Sequence, residues 1–351
     1  MDEQFCRKLK MARRMRGLSM DELVQLMGGA ISKQSISKYE RGLMVPRPQH
    51  MSLLIRALRI TDEYFKRRVA ELSNVNYRCK GFISASYTEE VECFVNEIVS
   101  RYLDIEGVLN IYPEFMNPLG RVKTRTYADV EKAAMLLRDK WCLGMHPIPS
   151  VTNLLETFGV MIVEHDIDKT EVLGLSANVN KKRPVIVVST RSNNTAERKR
   201  FTMLHELAHI LLFQKKTSGV LEASEERLCE RFAGTVLCPP SVLIKELGER
   251  RKTFALDELV SIRERYGISV AAIVHCCKDI GIISEQYYNH LYDNYINRNK
   301  MEEGWGKYPI LERTDRFKLL VQRAVAEGIL IDDDIEHAEN RSCIKDKVIM
   351  N

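Results

Sequence analysis

No run of about 18 residues in this chain lacks a charged or polar break, so no segment reads as a membrane-spanning helix. The opening residues, MDEQFCRKLKMARRMRG, carry charge throughout and have no apolar stretch of secretory-signal type. These two absences lead to the expectation of a soluble, cytoplasmic protein with no membrane partner. None of the nine cysteines forms a CxxC pair, and 351 residues far exceed the small secreted domains that disulfides staple. Reduced and mostly buried thiols are expected. What the chain does have is a hydrophobic content of 45%, enough for two or three ordinary globular cores.

The net charge is only +5, but it is unevenly placed. Residues 1–68 hold fifteen Lys and Arg against seven Asp and Glu, which leaves the remainder slightly acidic. A basic head of this kind suits contact with a polyanion. Within it Phe5, Leu9, Ala12 and Met15 recur at helical spacing, with Arg7, Lys8, Lys10, Arg13 and Arg14 on other faces. Ser19 and Glu22 form a capping box for a second helix, whose apolar side is Leu23, Leu26 and Met27 and whose stop is Gly28-Gly29. A third helix follows Ser32 through KQSISKYERG, with Ile36 and Tyr39 facing inward and Lys33, Gln34, Ser35 and Lys38 exposed. Gln pairs bidentately with adenine and Lys with guanine edges, so these four are the candidate contacts to double-stranded DNA. Met51, Leu54, Ile55 and Leu58 close the bundle.

The succession of these helices, ending in Ile36-Ser37-Lys38-Tyr39-Glu40-Arg41-Gly42, resembles the XRE-type helix-turn-helix of phage repressors and Cro. The chain departs from that pattern at Met20, where the family usually has glutamine, and in a longer turn from Gly28 to Ile31. The resemblance implies DNA binding, and an operator with two half-sites would call for a homodimer.

Residues 69–120 are the least patterned and read as a linker with some helix. From Tyr127 to Trp141 the apolar positions Val130, Ala133, Ala134 and Leu137 are helical, and GMHPIPS breaks the pattern. Apolar runs at Val160 to Val163, Leu173 to Val179 and Pro184 to Val188 read as three strands of a small antiparallel or mixed sheet, the last two forming a hairpin. An exposed strand edge along Gly174 to Ala177 could align an extended peptide by backbone hydrogen bonds.

The chemistry is concentrated after that hairpin. Asn194 with Glu197 reads as the start of the helix ERKRFTMLHELAHILLF, which contains His205-Glu206-Leu207-Ala208-His209. Histidines four apart share one helix face and can bind a single ion, and Glu206 beside the first can reach a water on that ion. The metal brings the water's pKa toward neutrality; Glu206 takes its proton and passes it to the leaving amine. Apolar residues fill most of the rest of the helix, so these polar groups would be buried for no gain unless a metal satisfied them. Catalytic zinc usually has three protein ligands and one open position, and Glu225, Glu226 and Glu230 in SEERLCERFAGTVLCPP are candidates for the third. Cys229 and Cys238 lack structural-zinc spacing and read as small buried residues. His165, at a strand end, reads as a structural histidine.

HExxH followed by Phe232-Ala233 and Pro239 resembles the ImmA/IrrE family of gluzincin peptidases over about residues 125–295. Matching that pattern implies zinc (Zn2+) held by His205, His209 and Glu226, with Glu225 in reserve. It also implies that Glu230, standing where the family has Asp or Asn, orients a histidine. Cys229 replaces the usual alanine. Helical patterns at Leu256 to Tyr266, Val270 to Ile280 and Ser284 to Tyr295 resemble the helical extension common in this family, and the acidic DDDIEHAEN and the tail after it suggest no structure.

The expected chain is α+β. An all-α helix-turn-helix domain occupies 1–68, a linker 69–120, a zincin-like domain of small sheet and HExxH helix 121–240, and a helical extension with a mixed-charge tail 241–351. The resemblance implies a transcriptional regulator that proteolyses a partner repressor. The alternative is a transcription factor whose zincin-like domain senses a ligand or metal and cuts nothing.

Overall fold

The computed structural model describes residues 3–16, 18–58, 60, 64–65, 70–79, 85–120, 122, 124–165, 172–190, 195–213 and 222–329. The N-terminal bundle consists of α1 (Glu3–Met15), α2 (Met20–Leu26), α3 (Lys33–Glu40) and α4 (Pro48–Leu58). The Ser19–Glu22 capping box opens α2, and Ser32 caps α3 through the Ser35 N–H. Leu9, Leu23, Ile36, Tyr39, Leu54 and Leu58 form its core. Leu26, expected on the apolar side, is instead exposed.

Residues 69–120, expected to be a linker, supply two main elements: β1 (Leu72–Cys79) and α5 (Ala85–Val108), a helix of 24 residues. Then come α6 (Tyr127–Lys140), α7 (Val151–Thr157), β2 (Met161–His165), β3 (Val172–Val179) and β4 (Arg183–Ser189). Among the described residues the sheet therefore has four strands, not three, in the order β1-β3-β4-β2. β3 pairs antiparallel with both β1 and β4, and β2 runs parallel to β4. The edge of β3 at Gly174 to Ala177, expected to be open, is taken: Asn76 pairs with Ser176, Tyr77 with Leu175 and Arg78 with Gly174. The sequence hid this because β1, LSNVNYRC, is polar and bulged, with Asn74 at a positive φ of 54°.

Helices cover both faces of the sheet. Ile162, Ile186 and Val188 share one core with α8 (Ala196–Leu212), α9 (Glu222–Leu237) and α6. The same core takes in α10 (Pro240–Leu247), α11 (Leu256–Tyr266) and α12 (Val270–Asp279), so the C-terminal helices are part of one packed body. α13 (Glu285–Leu291), followed by a π-helical turn at Tyr292–Ile296, rests against this core through Tyr287 and Tyr288. On the other face Val163, Leu175, Val185 and Val187 pack against Val95, Val99 and Tyr102 of α5 and Leu320 of α14 (Arg316–Ala326). No helix among the described residues is long and apolar enough to cross a membrane. The acidic segment DDDIEHAEN and the tail after it lie outside the described residues.

The chain between α13 and α14 acts as a strap, held by two glutamates that occupy orphan helix N-termini. Glu302 accepts from the Val270 and Ala271 N–H groups at the start of α12 and pairs with Arg263 at 2.7 Å. Glu312 accepts from Val151 and Thr152 N–H at 2.9 and 3.0 Å at the start of α7 and pairs with the fully buried Arg200 at 2.5 Å. Because a buried cation without its partner is costly, Glu312→Ala is expected to destabilise the fold by about 3–5 kcal/mol, read by chemical denaturation. A loss below about 1 kcal/mol would contradict it.

Glu197, at the start of α8, is buried, which alone would raise its pKa; hydrogen bonds from Arg263 at 2.8 Å and from the Tyr308 N–H outweigh burial and hold it below the ordinary value. A carboxyl depressed in the folded state stabilises above its unfolded pKa and loses that contribution as pH falls through its folded pKa. Glu197→Gln should therefore cost stability at pH 7, and the cost should shrink as pH drops below about 4.3. Denaturation midpoints of both proteins across that range check it.

Candidate active site

α8 starts at Thr195, whose hydroxyl caps the helix by accepting from the Arg198 N–H; Asn194, the expected start, lies outside the described residues. The helix is buried over most of its surface, and its burial rests on apolar residues around the polar trio, as the sequence suggests. Glu206 points to β3. It is 1% exposed, and its Oε2 accepts a hydrogen bond from Ser176 Oγ at 2.7 Å. Gly174 makes this approach feasible: a Cβ there would stand 2.7 Å from Thr202 Cγ2 and 2.9 Å from the Val187 carbonyl, so only glycine lets β3 lie this close.

His205 and His209 bring their Nε2 atoms within 3.2 Å of each other. Glu226, on α9, spans both: its carboxylate oxygens lie 3.0 Å from His205 Nε2 and 3.1 Å from His209 Nε2. Three donors from two helices thus converge on one point. The set fits zinc. Two nitrogens bound tetrahedrally at about 2.0–2.1 Å stand about 3.4 Å apart, close to the separation found here. The electrostatics agree: hydrogen bonds from His205 and then His209 hold the Glu226 carboxyl well below the usual carboxylate range. Burial opposes charge on His209, but the Glu226 hydrogen bond and the negative charge of Glu206 outweigh it and raise its pKa. The pocket is electronegative and would welcome a cation.

Cys229 is fully buried as expected, but its Sγ also lies within 4.8 Å of the donor atoms of His205 and His209. This proximity could have been read from its spacing: Cys229 follows Glu226 by three residues on one helix, so both share a face. Cys238 is a core thiol whose pKa burial pushes far up. Glu225 is half-buried and adds to the negative field at His209. Glu230 is exposed. It lines a cavity of about 750 Å³, with Arg198, Thr202, Arg227 and His275, one turn along α8 from His205. His165 stacks on Phe94 at 3.8 Å between centroids.

In the N-terminal bundle Lys33, Gln34 and Lys38 are exposed on α3 and Ser35 is half-buried at its capped start. Lys33 pairs with Asp21 at 2.6 Å across the helix-turn-helix. Much of the other basic charge is spent internally. Lys8 pairs with Glu97 of α5 at 3.1 Å, both fully buried, and Arg13 pairs with Glu40 at 2.6 Å. Lys10 and Arg14 both meet Glu89 of α5.

This arrangement is that of a small α+β zincin-like domain with a helix-turn-helix docked onto it. Residues 155–278 match the family model described as the IrrE N-terminal-like domain, and residues 9–65 match the helix-turn-helix model. The chain is thus a fusion of an XRE-type DNA-binding module and an IrrE/ImmA-like peptidase domain. No curated protein matches the chain.

Zinc content separates the two donor sets. His205→Ala is expected to abolish stoichiometric zinc, whereas Cys229→Ala should retain one zinc per chain by elemental analysis. Retention in the histidine variant would exclude the site, and loss in the cysteine variant would make Cys229 a ligand.

Proposed function

We propose that this protein is a DNA-binding regulator with zinc-dependent endopeptidase activity, hydrolysing a peptide bond in a partner regulatory protein such as a transcriptional repressor. The observation that carries the proposal is the convergence of His205, His209 and Glu226 beside the buried carboxylate of Glu206. His205, His209 and Glu226 would hold the ion, which when bound supplies Lewis-acid chemistry for water and carbonyl. Glu206 serves as general base and then as acid to the departing amine. Ser176 positions it by donating to Oε2. Lys33, Gln34, Ser35 and Lys38 present the DNA-facing side, and tethering at an operator raises the effective concentration of a substrate bound nearby.

The second reading, a regulator whose zincin-like domain senses without cutting, is favoured by one observation, the nearness of Cys229. A thiolate as fourth ligand would close the sphere in the manner of structural zinc. The two readings part at Glu206. Glu206→Gln should keep zinc and lower hydrolysis of fluorescein-labelled casein by at least about 100-fold, and Ser176→Ala by about tenfold. Equal hydrolysis by parent and Glu206→Gln would remove the peptidase reading.

A further inference from the structure

β3 is the strand on which a peptide would have to align, because its Ser176 touches Glu206 and its Gly174 abuts α8. It has two edges. β4 holds one, and β1 holds the other along its whole length, from Leu72 opposite Val179 to Cys79 opposite Val172. β1 is antiparallel to β3, and opposed residues of an antiparallel pair share a face. Asn76, opposite Ser176, therefore lies on the side of the sheet where Glu206 sits, and it is exposed. We propose that β1 is an internal stand-in for the substrate strand, and that a protein substrate enters by replacing it along β3. This rests on the peptidase reading given above.

β1 is built to be replaceable. It is an edge strand with register shifts between Ser73 and Asn76 and between Arg78 and Cys79. Its described side chains hold it lightly: Leu72, Val75 and Tyr77 are only partly buried against the core that α5 helps form, Tyr77 Oη lies 3.0 Å from Glu92 and 3.4 Å from the Thr88 carbonyl, and Ser73 Oγ donates to the Asn178 carbonyl at 3.3 Å. Asn180 holds its start from both its backbone and its side chain: its N–H donates to the Glu71 carbonyl at 2.8 Å, and its Oδ1 accepts from the Glu71 N–H at 3.2 Å. An incoming strand would regain the same ladder, so replacement exchanges hydrogen bonds without losing any. The register names the substrate class: an extended segment with polar or basic residues on the Glu206 face, as Asn76 and Arg78 stand opposite Ser176 and Gly174, alternating with apolar or aromatic ones on the α5 face.

The test uses full-length zinc-loaded protein in the Glu206→Gln background, with a fluorescein-labelled peptide of residues 70–80 as probe. Consecutive N–H groups alternate sides along a strand, so Asn76→Pro with Tyr77→Pro must delete one bond to β3. Tyr77→Ala, which removes only the anchor to α5, is the milder variant should the prolines disturb folding. Amide hydrogen exchange over 72–79 verifies release. The peptide is expected to bind the released forms at least tenfold tighter than the parent by fluorescence polarisation. Affinities within twofold, with release verified, would overturn the proposal. Casein hydrolysis by the same variants with Glu206 intact tests the other reading separately. A binding difference with no hydrolysis in any form sinks the peptidase reading alone. Hydrolysis with no binding difference sinks strand replacement alone.

Discussion

Everything at the candidate site depends on how closely β3 seats on α8. Gly174 sets that distance, since any side chain there would collide with Thr202 and with the Val187 carbonyl. The close seating lets Ser176 reach Glu206, and Glu206 is thereby oriented from the sheet side while the two imidazoles turn toward α9. A helix carrying His205, Glu206 and His209 has its polar groups adjacent in sequence but aimed at two different neighbours. The sheet takes the carboxylate and α9 completes the donor set. Neither neighbour alone would make a site.

Burying so many charged groups needs partners, and the molecule supplies them from distant parts of the chain. Arg200 and Glu197 sit in the first turns of the same helix, and their partners Glu312, Arg263 and Tyr308 come from the strap and from α11. The strap's two glutamates also close the N-termini of α7 and α12. Such pairs add little net stability over apolar packing, but they punish every alternative arrangement that leaves one member alone. The segment from 297 to 315 thus fixes how α8 is held at the end away from His205 and His209.

The parts legible in the sequence are those where periodicity and caps agree. α6, α11 and α12 lie where apolar spacing and flanking breaks put them, and the capping box of Ser19 and Glu22 is found in place. The HExxH helix and the convergence of Glu226 on it were readable from spacing with a family pattern. β1 was not, because a polar, bulged edge strand carries no clean alternation, and its pairing with residues about a hundred positions away leaves no local trace. α5 was obscured for a related reason: it buries Glu97 and Glu106 among its apolar residues, each matched by a cation from elsewhere, Lys8 and Arg183. Long-range ion pairs let polar residues occupy core positions, and this defeats a reading that equates polarity with solvent.

The same ion pairs change the meaning of the basic head. An excess of Lys and Arg in residues 1–68 invites a wholly electrostatic account of DNA contact, yet Lys8, Lys10 and Arg14 are committed to acids on α5, and Arg7 approaches Glu71 at 3.8 Å. α5 holds Tyr77 of β1 through Glu92 as well. One helix therefore grips the first helix of the helix-turn-helix bundle on one side and the strand beside Glu206 on the other. The buried Lys8–Glu97 pair makes the first grip hard to break, since separating it would strand two charges away from water. The half-exposed Tyr77 anchor makes the second comparatively weak. The more exposed of the two contacts of α5 therefore lies beside Glu206, and the fully buried one lies against α1.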